Sequence, residues 1–315
     1  MREKGRIKRR NKRIGLRIFL GIILLGLVGV FGYGYSIYRN VNNAVETIHK
    51  PVETEEVRED SVDLNKQHPI SILLLRVDSG ALGRTEQGRS DSIVVATINP
   101  STKKMLLLSV PRDTYAEIVG NGTSDKINHA YAFGGTEMSI NTVQKLLDIP
   151  IDYYITVNMA GIQEIVDVVG GVEVDNPLDF TAYGYTFSKG VNHLDGASAL
   201  AFARMRYDDP LGDTGRQARQ RLIIEGVIQK IVSPNTLMNY QDILASLSEN
   251  VETNLQMSDY FALQGNDYVA AASNIQQEQM AGIGSTEADG IYYSFTVDAE
   301  LARVQALLRA ELELE

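Results

Sequence analysis

Twenty-one consecutive residues without a charge, IFLGIILLGLVGVFGYGYSIY (Ile18 to Tyr38), follow a seventeen-residue start that carries nine Lys or Arg and one Glu. A helix needs roughly 20 apolar residues to cross a bilayer core. A cleavable signal peptide has a shorter apolar core of about 7 to 15 residues, closed by a small-residue cleavage site; no such site is found here. The stretch is therefore read as an uncleaved membrane helix. Basic flanks stay in the cytoplasm, so the remainder is expected on the outer face of the cell membrane, on a single-pass anchor.

This topology changes how the charge reads. The 315-residue chain has a formal net charge of −10, but the part beyond Tyr38 holds 21 basic against 39 acidic residues. There is no cysteine, so an exported domain must rest on its core rather than on disulfides. Residues 39–69, polar and acidic with no sustained apolar period, are read as a tether. Its extended reach is about 100 Å at 3.3 to 3.6 Å per residue.

After Pro69, strand and helix signals alternate. ISILLLRV (70–77) is an apolar run of buried-strand length. DSIVVATINPSTKKMLLLSVP holds two further runs around a turn at Asn99–Thr102. TEMSINTVQKLLDI is helical, with Thr136 available as a cap; DYYITVN is strand-like. MAGIQEIVDVVGG reads as a helix ended by glycines, and VEV opens another strand. In TGRQARQRLIIEGVIQKIVS, Ile223, Val227 and Ile231 share one helical face, and Arg216 and Gln220 lie one turn apart. Together these predict an α/β fold, an α/β/α layered domain with a mixed central sheet, preceded by one transmembrane helix. The expected organisation is a stub (1–17), a membrane helix (18–38), a tether (39–69), a main domain (70–233) and an integral C-terminal extension packed on it (234–315).

Four local groups bear chemistry: Asp78 after the first strand, GRSD (88–91), PRD (111–113), and ARMRYDDPLGDTGRQARQR (203–221). The last holds five arginines and no lysine. Strand ends are where open α/β sheets place ligands. Two carboxylates among arginines suit Mg²⁺ held through carboxylates and substrate phosphates. The planar guanidinium fork suits bidentate phosphate binding better than lysine does. The reading is a pyrophosphate clamp. A plainer alternative stands beside it: Arg204 and Arg206 pair with Asp208 and Asp209, while Arg216, Arg219 and Arg221 cover a helix surface. Other chemistries lack their residues. SGALGRTEQGR has no Lys-Ser/Thr ending of a P-loop; the four histidines have no zinc spacing; no nucleophile elbow or cysteine nucleophile is present. His129 is read as serving packing or local hydrogen bonding.

The blocks GRTEQGRSDSIVV, LLLSVPRDTYAEI, DKINHAYAFGG, DYYITVNMAGIQEIVDVVGGVEV and HLDGASALAFARMRYDDPLGDTGRQARQR, in this order and spacing, resemble the LytR-CpsA-Psr family. The resemblance implies a membrane-anchored phosphotransferase. Such an enzyme moves an anionic glycopolymer, wall teichoic acid or capsular polysaccharide, from a polyprenyl-pyrophosphate carrier to peptidoglycan. It implies that Asp78 and Asp91 hold Mg²⁺ (or Mn²⁺), and that Arg89, Arg112, Arg204, Arg206 and Arg216 bind pyrophosphate, with Gln220 alongside and Lys126 as a further phosphate contact. Asp78, Asp91, Arg112, Arg204, Arg206 and Gln220 form the implied catalytic set. A long apolar pocket for the polyprenyl chain is implied too, with residues 161–169 and 222–231 as walls. Asp113, Asp78 and Asp91 are candidates for the base. One departure is Arg76, where the family pattern LLG-x-D has glycine; it either adds a guanidinium or marks an altered site. The alternatives to transfer are hydrolysis of the pyrophosphate and a non-catalytic transcriptional attenuator. The basic stub has no helix-turn-helix pattern, so anionic lipid suits it better than specific nucleic acid.

Overall fold

The apolar run after Pro69 forms β1 (Ile70–Val77) and continues into a meander with β2 (Ser90–Asn99) and β3 (Lys104–Val110). The β2–β3 connection is the turn expected from sequence: Asn99 Oδ1 accepts the Thr102 N–H at 3.0 Å. This computed structural model describes residues 46, 48–55, 57–58, 62–78, 88–206, 208–233, 250–265, 267–288 and 290–314. The expected cytoplasmic stub and membrane helix (18–38) lie outside these residues. Among the described residues no helix is long and apolar enough to cross a membrane.

A short ribbon, β4 (Tyr115–Ile118) and β5 (Thr123–Lys126), precedes α1 (His129–Leu147) and β6 (Tyr153–Asn158). Helix α1 begins seven residues before Thr136 and is broken at Gly134–Gly135, where Gly135 has φ 65. The periodic segment read from sequence is thus only its second part. Glycines here cost helix propensity and permit the positive φ, which hid the first turns. Helix α2 (Met159–Val168) starts on Asn158, whose side chain accepts the Gly161 N–H, and ends at Gly170 and Gly171, both at φ 82. Next come β7 (Val172–Asn176), β8 (Phe180–Ala182), β9 (Tyr185–Phe187) and β10 (Gly190–Leu194). Helix α3 (Gly196–Arg204) opens with a reciprocal capping box between Asp195 and Ser198, and α4 (Asp213–Ile231) follows. The remaining elements are β11 (Val251–Thr253), α5 (Met257–Gly265), α6 (Tyr268–Ala272), β12 (Ile275–Gln279), β13 (Ile283–Thr286), β14 (Tyr292–Phe295) and α7 (Asp298–Glu311).

The central sheet has six strands in the order β11-β6-β1-β2-β3-β12. β1 runs antiparallel to β2 and parallel to β6, and β3 runs parallel to β12, so the sheet is mixed, as expected. Both edge strands come from the C-terminal part of the chain. Successive side chains of a strand face opposite sides, and each side is covered. Leu73, Leu75, Ile93, Val95, Leu106 and Leu108 pack under α1 and α7 through Ile140, Val143, Leu147, Val304 and Leu308. Ile70, Ile72, Val94, Ala96, Ile98 and Leu107 face α6, with Ile224 and Ile228 of α4 against them. Continuous apolar runs are needed here because neither face of the sheet sees water. A separate cluster joins Val172, Phe180, Phe187 and Leu194 of the ribbons to Phe202 of α3 and Ile223 of α4, with Val227 and Ile231 partly buried against it. The face assigned to α4 from its periodicity is the one it buries.

Candidate active site

Arg76, Asp91 and Arg112 come together where β1 and β3 finish and the antiparallel β2 begins. Along β1–β2, Arg76 pairs with Ser92 and Val77 with Ser90, so Asp91 has no partner and forms a bulge. A bulge re-aims its side chain. By alternation Asp91 would share a face with Ile93 and Val95; instead its carboxylate meets Arg76 and Arg112. Arg112 sits in a turn fixed on three sides. The Thr114 N–H closes onto the Pro111 carbonyl at 3.0 Å, the Asn128 N–H donates to the Arg112 carbonyl at 3.2 Å, and the Ser294 N–H donates to the Asp113 carbonyl at 2.8 Å.

Arg112 Nη1 lies 2.7 Å from Asp91 Oδ1, its Nε 3.6 Å from Asp113, and its Nη2 3.9 Å from Asp213. Arg76 Nη2 is 3.6 Å from Asp91 Oδ2. Asp213, in the first turn of α4, holds Arg216 Nη2 at 2.6 Å, and Lys126 Nζ reaches Asp113 at 2.9 Å. Burial works against ionising Asp91, but Arg76 and then Arg112 outweigh it and hold its carboxyl below the usual range. Burial lowers Arg76 to about 10, against the attraction of Asp91, which leaves it a cation at neutral pH. Burial also lowers Arg216, while Asp91 raises Arg112 against burial.

Gln220 lies one helical turn beyond Arg216 and is only 5 % exposed. Among the described residues neither atom of its side-chain amide has a hydrogen-bond partner. Buried polar groups are normally paired, so this side chain keeps a donor and an acceptor to spare. Gln220 also lines a cavity of about 440 Å³ between the sheet and α2 and α4, walled by Ile162, Ile165, Ile224, Val227 and Ile228 among others. These walls fall in the two segments expected to face a polyprenyl chain. Among the described residues that line it, Arg76 alone carries a charge.

The other expected residues are placed differently. Asp78 follows β1, its N–H bonded to the Arg89 carbonyl at 3.0 Å, while the Arg89 side chain is exposed. Arg206 is exposed, close enough to Arg216 to oppose its charge. Arg204 is exposed and lies over the Tyr183 ring at 5.0 Å. The plainer reading of the arginine stretch is corrected: Arg219 and Arg221 are not on a helix surface but buried at 2 % and 6 % exposure. Arg219 pairs with Asp209 and donates to the Phe202 carbonyl. Arg221 donates to Ser109 Oγ at 2.6 Å. The Asp209 carboxylate lies so close to the Gly215 backbone that a Cβ there would collide with it. Asp213, which the sequence reading passed over, had one signal: it stands three residues before Arg216. His129, expected to make a local hydrogen bond, makes one to Asp125 at 2.7 Å.

Both oxygens of Asp91 face guanidiniums, and among the described residues no group of three or more His, Cys, Asp or Glu is placed to hold a metal ion.

Residues 35–310 match the LytR_cpsA_psr family. The chain belongs to this family. A relative from Enterococcus faecalis (strain ATCC 700802 / V583), named polyisoprenyl-teichoic acid–peptidoglycan teichoic acid transferase TagU, is 45 % identical over 303 residues, covering 96 % of this chain and 98 % of that one. The structure of a protein titled transcriptional regulator, also from Enterococcus faecalis, superposes with a TM-score of 0.72 at 42 % identity, covering 81 % of this chain and 92 % of that one. A family structure titled TagT bound to LIIa-WTA superposes at 0.68 with 29 % identity, over 83 % of this chain and 97 % of that one. The resemblance read from the sequence blocks thus extends across nearly the whole chain.

Proposed function

We propose that this protein transfers teichoic acid from a polyisoprenyl diphosphate carrier to peptidoglycan, acting outside the cell from an N-terminal membrane helix. The observation that carries the reading is the junction of an apolar cavity with a guanidinium cluster: the cavity accepts an isoprenoid tail, and Arg76, Arg112, Arg216 and Gln220 face its charged head. The named activity of the Enterococcus faecalis relative supports teichoic acid as the polymer and peptidoglycan as the acceptor.

Phosphoryl transfer is mainly a matter of positioning and charge neutralisation. A sugar hydroxyl oxygen of peptidoglycan attacks the phosphorus that bears the polymer. A new P–O bond forms, the bridging P–O bond of the diphosphate breaks, and polyisoprenyl phosphate leaves with the bridging electrons. The hydroxyl proton passes to a base or solvent. Arg112 and Arg216 are placed to oppose charge growing on the phosphoryl oxygens. Guanidiniums already ordered by Asp91 and Asp213 need little rearrangement to do so. Asp113, held between Lys126 and Arg112, borders the same cluster and is the proposed proton acceptor. The test is incubation of the full-length protein in detergent with lipid-linked donor and peptidoglycan, with the product read by mass spectrometry. Polymer joined to peptidoglycan through a phosphodiester supports the assignment; free phosphorylated polymer alone would replace transfer with hydrolysis.

A further inference from the structure

Arg76 occupies an unusual position. Its side chain is nine-tenths buried, 10 % exposed against 24 % for Asp91, and it lines the apolar cavity while reaching Asp91 in the polar cluster. Its hydrogen-bonding capacity is largely unspent. Nε is buried with no hydrogen-bond partner among the described residues, Nη1 points at the thioether sulfur of Met159, a weak acceptor, and Nη2 stands 3.6 Å from Asp91. A guanidinium removed from water and left with so few strong acceptors is costly inside a protein. That cost is recovered when an anion completes its shell. Arg76 and Gln220, the latter with its whole amide unmatched, line the same cavity, so a headgroup entering there meets both.

A divalent cation held as the sequence suggests would use the carboxylates of Asp78 and Asp91; both Asp91 oxygens face guanidiniums, Arg76 and Arg112, and Asp78 is close enough to Arg76 to attract its charge. Mg²⁺ sites on phosphates commonly use one or two carboxylates together with phosphate oxygens. Here the Arg76 guanidinium already faces that carboxylate, 3.6 Å from Asp91 Oδ2. We propose that Arg76 takes the part of a divalent cation, so that this protein binds an isoprenoid diphosphate without metal. The proposal rests on the reading of the site given above and adds to it the source of the neutralising charge. It accounts for the side chain's two-sided placement, since the phosphate next to the isoprenoid tail is the one that lies at the border between cavity and cluster.

The test uses full-length protein in detergent and geranylgeranyl diphosphate as the probe, with binding measured by calorimetry in excess EDTA and again in saturating Mg²⁺. The wild type is expected to bind with the same affinity, within about twofold, in both. Arg76→Gly is expected to bind about ten- to a hundredfold more weakly in EDTA, the scale of one lost charge-assisted hydrogen bond, and to recover when Mg²⁺ is added. Titration of Mg²⁺ alone should give no saturable heat with the wild type and a binding isotherm with Arg76→Gly. Arg76→Gln serves as a second variant that keeps the strand's side-chain volume, and thermal unfolding checks both folds. Wild-type binding that requires Mg²⁺, or Arg76→Gly binding that ignores it, overturns the inference while leaving the transferase reading intact. No binding of the diphosphate by the wild type under either condition overturns the reading of the site itself.

Discussion

Replacing Arg112 with alanine removes the guanidinium that joins three carboxylates. The strongest of its contacts is the 2.7 Å bond to Asp91; the others, at 3.6 and 3.9 Å, add little. A hydrogen bond to a charged group contributes about 1.5–3 kcal/mol when buried. The side chains here are 19 % and 24 % exposed, and screening reduces that figure, so the stability loss is about 1–2 kcal/mol. Asp91 keeps Arg76, Asp213 keeps Arg216 and Asp113 keeps Lys126, so no carboxylate is stranded and the fold persists. For a chain of this size the loss lowers Tm by roughly 2–4 °C. Activity should suffer more, because a donor aimed at developing charge contributes about 2–4 kcal/mol to the transition state, a loss of roughly thirty- to a thousandfold in turnover. The two effects have different pH signatures. The Asp91 carboxyl is held below its ordinary value in the folded protein, so its contribution is present above the unfolded value and lost as pH falls through the folded one. The Tm gap between wild type and Arg112→Ala should therefore narrow in acid. Near-normal turnover by a folded Arg112→Ala protein, or a Tm gap unchanged between pH 7 and pH 3, would refute this reasoning.

Gln220→Leu should leave Tm unchanged or raise it, since the buried amide has no hydrogen-bond partner among the described residues and a stranded polar group costs about 1–3 kcal/mol; diphosphate affinity, read by calorimetry, should fall about tenfold. Arg219→Ala should behave in the opposite sense, costing about 3–5 kcal/mol in denaturant unfolding because Asp209 would be left buried and unpaired; a mild effect would show that the pair is replaceable. Val227→Trp places a large ring on the wall of the apolar cavity, and transfer from long-chain isoprenoid donors should drop further than transfer from farnesyl-linked ones. Equal losses for both chain lengths would place the tail elsewhere.

Much of the fold was legible because it is written in short-range patterns. The apolar run 70–77, the Asn99 turn, the glycines after α2 and the Ile223, Val227, Ile231 stripe each express a local rule of period, turn or cap, and each is found where the sequence puts it. The order of the motif blocks likewise carried the family. The start of α1 was not legible, since the Gly134–Gly135 break interrupts the pattern that announces a helix. The roles of the arginines were not legible either. Arg204, Arg216, Arg219 and Arg221 share one chemistry and one stretch of chain, yet one stacks on Tyr183, one pairs with Asp213 and two are locked in the interior. What separates them is which partner lies within reach: the Ser109 that Arg221 meets is 112 residues away. Likewise the β-bulge that turns Asp91 toward Arg76 and Arg112 exists only once β1 and β2 are in register. The elements and their order were readable because they depend on neighbours along the chain; which charges meet was not, because burial and ion pairing depend on distance through space.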